Sequence, residues 1–147
     1  MNMSTCIIRE IENKDYLSVA AVWRDVFGPL SITDESFAQT CEKMKADSRY
    51  HIFIAEKYGN IIGFVTTVES LAINLPNGYI KVNGLAVLPE FRHCGIGKML
   101  MERVEKLAGE RNISLIGLAS GFQRTDAHEF YEHLGYQKSS FWLSKRV

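Results

Sequence analysis

An apolar run ending at Val87-Leu88 breaks at Pro89-Glu90-Phe91-Arg92-His93-Cys94-Gly95. Apolar residues then resume at helical spacing as Ile96, Leu100, Val104, Leu107 and Ala108. The period changes from that of a strand to that of a helix within a few residues, so the chain must turn sharply there. A helix start leaves its first N–H groups without intrahelical partners and carries partial positive charge, which makes it a seat for an anion. Gly95 and Gly97 have no Cβ to hold an anion off, and Arg92, His93 and Lys98 add donors around the same turn. With the backbone of Cys94 and Ile96, the turn reads as a pyrophosphate cradle.

The spacing excludes two nucleotide sites. A P-loop needs a hydroxyl after its lysine, and Met99 follows Lys98; a dinucleotide turn needs a third glycine where Leu100 stands.

Along the rest of the chain, residues 5–11, beginning at Thr5, read as a strand, and Lys14 to Phe27 as a helix presenting Leu17, Ala20, Trp23 and Phe27. Gly28-Pro29 ends that helix, and a second starts at Thr33 or Asp34 and runs toward Ala46. His51 to Lys57 and Ile61 to Ser70 are strands joined by the hairpin turn Tyr58-Gly59-Asn60. Tyr79 to Leu88 is a further strand, in which Gly84 is compatible with a bulge. The third helix spans Gly95 to Arg111 and is closed by Asn112, and Ile113 to Leu118 reads as a buried strand. A last helix covers Ala127 to Leu134, with Asp126 as its cap and Gly135 after its last turn, and a strand from Gln137 to Lys145 finishes the chain. Antiparallel strands followed by a strand-helix-strand half predict an α+β (mixed α/β) layer of about six strands and four helices, in one domain spanning 1–147.

Two motifs carry chemistry. Arg92-x-x-Gly95-x-Gly97 at a strand-helix junction resembles the acyl-coenzyme A signature of the GNAT superfamily of N-acetyltransferases. Arg124-Thr-Asp-Ala-His128-Glu-Phe130-Tyr131-Glu-His-Leu-Gly135-Tyr136 resembles the C-terminal motif of its bacterial small-molecule members. The resemblance covers most of the chain and is strongest from Tyr79 to Tyr136. It implies a mostly antiparallel sheet with a splayed parallel pair that admits the pantetheine arm. It further implies acetyl-coenzyme A as donor, held by the backbone of Leu85, Ala86 and Val87 and by the turn from Arg92 to Lys98. Tyr131 is implied to protonate the departing thiolate, a task a phenol can perform as charge builds on sulfur. Phe130 is either packing or a coenzyme contact, and His128 either relays protons or hydrogen-bonds the backbone or the coenzyme. Many relatives carry asparagine where this chain has Arg124, which leaves coenzyme, acceptor and an acidic neighbour open as its partner.

The chain also departs from the family pattern at Asn83, where many members carry a glutamate base. An amide cannot accept a proton as a base, so Glu69, His128 or a water chain must serve, and Asn83 is left to orient the acceptor or a water. Phe27 and Leu30 of the first inter-helix loop, with the Ser70 to Gly78 connection, are expected to meet a small amine acceptor. Transfer to a protein N-terminus or lysine, and coenzyme binding without catalysis, are the alternative readings.

Seventeen basic and seventeen acidic residues cancel, with no run of like charge for nucleic acid or an anionic membrane. Three dispersed cysteines support neither a disulfide framework nor a metal site and suit a reducing cytoplasm. No segment has the apolar length of a membrane helix, and dimerisation through the final strand is left open.

Overall fold

The computed structural model describes residues 6–122 and 124–147. Thr5, expected to begin the first strand, lies outside them. The chain divides into two compact units, Met1–Gly117 and Leu118–Val147.

The first unit carries all of the sheet but Leu118, the last residue of its fifth strand. Strand β1 (Cys6–Glu10) pairs antiparallel with β2 (Tyr50–Lys57), β2 with β3 (Asn60–Ala72), and β3 with β4 (Leu75–Val87). The sheet order is β1-β2-β3-β4-β5, where β5 is Ile116–Leu118. Helix α3 (Ile96–Glu110) makes the crossover from β4 to β5 that a parallel neighbour requires, so the sheet is mixed. Helices α1 (Tyr16–Phe27) and α2 (Asp34–Lys45) lie between β1 and β2 in the chain, and α4 (Thr125–His133) belongs to the second unit.

Local chemistry explains these boundaries. The Thr33 hydroxyl accepts from Ser36 N–H at 3.1 Å and caps α2. Tyr58 and Gly59 take φ of 52° and 80°, which the β2–β3 hairpin turn demands. Helix α3 ends with Asn112 at φ 56°, Asn112 N–H on Gly109 O and Ile113 N–H on Ala108 O, the paired bonds of a left-handed helix stop.

The two sheet faces differ in their cover. Phe64 and Ala86 join Val19, Val22 and Cys41 in one cluster beneath α1 and α2. On the other face Arg103 of α3 lies over the Phe53 ring at 4.4 Å.

Four sequence expectations are corrected. The alternation from Gln137 to Lys145 forms no strand, and Phe141 and Trp142 are exposed, so among the described residues five strands stand instead of six. A polar-apolar pattern prepares a strand for an edge but does not supply one. The Ser70 to Gly78 connection is largely strand, because β3 and β4 continue pairing to Ala72 and Leu75. The fifth strand is half-buried and only three residues long; Ile113 is spent on closing α3 instead. Leu17 faces solvent, and α1 buries Tyr16, Val19, Ala20 and Val22.

Candidate active site

The bulge anticipated at Gly84 is present, and the additional residue is Asn83. Thr66 pairs with Gly84 and Thr67 with Val82, which leaves Asn83 without a partner across the ladder. Its side chain is exposed.

The bulge also decides where the strand's backbone points. Ile80 N–H donates to Leu115 O, toward the β5 side, whereas Leu88 N–H donates to Ile62 O on β3. Alternate residues of a strand serve opposite neighbours. After the bulge, therefore, Leu85 and Val87 direct their backbone groups away from β3. Val87 O accepts there from Arg92 Nε at 3.1 Å. Ala86 differs from its neighbours: it is 2% exposed, packs into the core and pairs with Phe64 on β3.

A turn of 3₁₀ helix at Pro89–Phe91 leads from β4 into the basic turn. His93 and Gly95 both have left-handed backbone, φ 62° and 83°. A Cβ added at Gly95 meets nothing within 4 Å, so the glycine is required by its conformation and open space lies beside it. Gly95 precedes α3, and Met99 N–H is bonded to Gly95 O, which leaves the amides of Ile96, Gly97 and Lys98 at the helix start. Arg92, His93, Cys94 and Lys98 are exposed around them, while Ile96 is buried and anchors the turn. The Cys94 thiol donates to Arg92 O at 3.5 Å.

On the α1 face, Trp23 lies 4.7 Å from Phe27 and stacks at 6.0 Å on Phe64, ring centre to ring centre. A Cβ at Gly84 would stand 3.4 Å from Trp23 and 3.3 Å from Thr66, so the glycine lets the indole lie against the bulge. Phe27 and Leu30 are half-buried, and Arg24 pairs with Asp34 across the α1–α2 loop.

Glu69 occupies the other face, since β3 alternates and Thr66 is on the α1 side. Its carboxylate accepts from Arg111 Nη1 at 3.2 Å and lies 3.4 Å from His51 Nε2. His51 Nδ1 in turn lies 3.2 Å from Glu10. Neither His51 nor Arg111 was singled out in the sequence, because the group is assembled from four distant segments.

In the second unit, α4 starts at Thr125 with Arg124 at the N-cap, so Asp126 sits in the first turn instead of capping it. The helix stops as expected: Gly135 has φ 95°, Gly135 N–H bonds Glu132 O and Tyr136 N–H bonds Tyr131 O. His128 donates from Nε2 to Gly121 O at 2.9 Å, which ties the preceding loop to the helix. Tyr131 contacts the rings of Phe130 at 5.2 Å and Tyr136 at 6.0 Å. Burial pushes its phenol up to about 12, and the Arg124 guanidinium acts in the opposite sense.

A bulged strand running into a glycine-opened helix defines a class of acyl-transfer domains, and the chain belongs to the acetyltransferase (GNAT) family, whose profile matches residues 8–136. Acyl transfer is its class of reaction. It is 27% identical over 131 residues to the aminoalkylphosphonate N-acetyltransferase of Salmonella typhimurium, with 78% of this chain and 85% of that one covered. Among solved structures it resembles the aminoglycoside acetyltransferase meta-AAC0020 from an uncultured soil metagenomic sample, in complex with trehalose. That match has a TM-score of 0.87 at 16% identity and covers 100% of this chain and 99% of that one. It also resembles the aminoglycoside N-acetyltransferase AAC(6')-Iy in complex with CoA, with a TM-score of 0.84 at 17% identity over 97% of this chain and 94% of that one.

Proposed function

We propose that this chain transfers an acetyl group from acetyl-coenzyme A to the primary amine of a small molecule, directly within a ternary complex. The observation that carries the reading is the basic turn. Three helix-start amides, a left-handed glycine with open space beside it, and exposed Arg92, His93 and Lys98 fit a diphosphate. The coenzyme supplies an activated thioester.

The outward backbone of Leu85 and Val87 offers donors for the pantetheine and the thioester carbonyl, fixed in place by the sheet and so available at low reorganisation cost. Tyr131 donates a proton to the sulfur as it leaves. By resemblance to the family motif, Arg124 and Phe130 are assigned to coenzyme binding. The acceptor lies against Trp23, Phe27 and Leu30, with Asn83 orienting its nitrogen or a water. Water takes the amine's proton in preference to Glu69, because Arg111 already holds that carboxylate on the opposite sheet face. His128 keeps its Nε2 proton for Gly121 and serves to hold the loop. Similarity to an aminoalkylphosphonate N-acetyltransferase and to a CoA-bound aminoglycoside N-acetyltransferase supports a small amine as acceptor.

Thermal unfolding with acetyl-coenzyme A, coenzyme A, ATP and NAD in parallel tests the donor. A ligand at about a hundred times its Kd adds about 2.7 kcal/mol, a rise of about 5–10 °C for a domain of this size. The expected result is a rise with the two coenzyme A species alone, followed by mass-spectrometric detection of acetylated amines. A rise with ATP or NAD instead would overturn the reading of the turn.

A further inference from the structure

Coenzyme A carries three phosphates, and the basic turn suits the two of its diphosphate. The third is a monoester on the adenosine ribose with a charge of about −1.5 to −2 at neutral pH, and it requires a cation of its own. The β2–β3 hairpin brings one to the turn. Leu88 N–H donates to Ile62 O at 2.9 Å, so the start of β3 runs beside the residue that leads into Pro89–Phe91. From the end of β2, Lys57 places its ammonium 5.8 Å from the centre of the Phe91 ring, and Phe91 immediately precedes Arg92. The same ammonium lies 5.8 Å from the ring of Tyr58, the left-handed residue of the hairpin, which is 66% exposed.

Lys57 is held in place without being neutralised. Both rings attract the ammonium, and among the described residues no carboxylate pairs with it. Glu56, its neighbour in β2, accepts from Arg9 at 2.8 Å, and Glu90 of the adjoining turn is exposed. Half-buried beside the rings, the charge of Lys57 is screened less than that of a free surface lysine.

We propose that Lys57 and Tyr58 form the seat for the nucleotide end of the coenzyme: the Lys57 ammonium pairs with the 3'-phosphate, and the exposed Tyr58 ring stacks on adenine. The inference rests on the acetyl-coenzyme A reading and deepens it by assigning the 3'-phosphoadenosine to the β2–β3 hairpin. The other cations of the region are differently employed. Arg92 is anchored through Nε to Val87 O, and Lys98 sits in the first turn of α3 among the unbonded amides, so both suit the diphosphate. Stacking on a base needs an aromatic face open to solvent, which Tyr58 offers and the half-buried Phe91 does not.

Calorimetric titration of the full chain with coenzyme A and with 3'-dephospho-coenzyme A tests the seat. The parent protein is expected to bind coenzyme A about 10-fold more tightly than the 3'-dephospho form, the effect of one charged hydrogen bond. Added salt should shrink that preference. Lys57→Gln should abolish it by weakening coenzyme A alone, and Lys57→Arg should keep it. Tyr58→Ala should weaken both ligands about 10-fold, and Tyr58→Phe should weaken neither. Three results overturn the proposal: no preference in the parent protein, equal weakening of the two ligands in Lys57→Gln, or an unchanged affinity for coenzyme A in Tyr58→Ala. If the parent protein binds neither ligand, the coenzyme reading falls and this seat with it, a failure distinct from binding without preference.

Discussion

Arg92 Nε donates to Val87 O at 3.1 Å, joining the outer edge of β4 to the basic turn that follows it. Arg92 thus fixes the turn, and under the function proposed above its remaining guanidinium donors are offered to a phosphate. Arg92→Ala is expected to weaken coenzyme A binding about 10- to 100-fold, the equivalent of about 1.5–3 kcal/mol for a charged hydrogen bond. Arg92→Lys should recover only a minor part, since an ammonium lacks the planar fork. Calorimetric titration with coenzyme A decides the matter, and an unchanged Kd in Arg92→Ala would remove Arg92 from the cradle.

Tyr131→Phe keeps the ring contacts with Phe130 and Tyr136 and deletes only the hydroxyl. Turnover should fall about 10²- to 10⁴-fold, the usual contribution of a positioned proton donor. Coenzyme affinity should not change. Measuring kcat beside the calorimetric Kd separates the two effects; equal loss in both would assign Tyr131 to packing.

Cys94 is exposed in the turn, whereas Cys41 is buried and its thiol is pushed up to about 11. Cys6 is half-buried, and burial raises its thiol too. Iodoacetamide should thus label Cys94 first, and bound coenzyme A should slow that labelling severalfold. Intact mass with and without coenzyme reports both. Labelling at an undiminished rate in saturating coenzyme would place the ligand away from the turn.

Asp15, 4% exposed, accepts from both terminal nitrogens of Arg9, at 2.7 and 3.0 Å, and from Glu12 N–H at 2.8 Å. The Arg9 guanidinium holds its carboxyl below the usual carboxylate range. A carboxyl depressed by folding contributes fully above its unfolded value, about 4, and loses that contribution as pH falls through the folded value. Asp15→Asn should cost about 2–4 kcal/mol at pH 7. The difference from the parent protein should narrow in urea unfolding below about pH 4. A constant difference across that window would show that the ion pair is not what Asp15 contributes.

Local chemistry made much of this fold legible in advance. Thr33, the Tyr58-Gly59 turn, Asn112 and Gly135 each act through their own backbone or near neighbours, and each behaves as its residue type requires. Long-range arrangement was not legible. The group formed by Glu10, His51, Glu69 and Arg111 draws on β1, β2, β3 and the end of α3. No spacing in the sequence could announce that Glu69 lies across the sheet from Trp23. The alternation after Gln137 failed for the same reason: pairing requires an edge elsewhere, and periodicity is silent about it. At the candidate site, the turn and the α4 motif were readable because each is contiguous. The parity of backbone donors on β4 required the ladder itself.

The unpaired residue in β4 also bears on how such a chain can diversify. Up to Val82 the strand's register serves β5, and from Gly84 onward it serves the edge at Leu85 and Val87. Asn83 is the joint between the two lengths, and its side chain belongs to neither. Exchanging that side chain leaves both hydrogen-bond registers intact. Under the function proposed above, selection at Asn83 would then revise how an acceptor is met while the strand's outward backbone is inherited unchanged, so that one scaffold is retuned without being rebuilt.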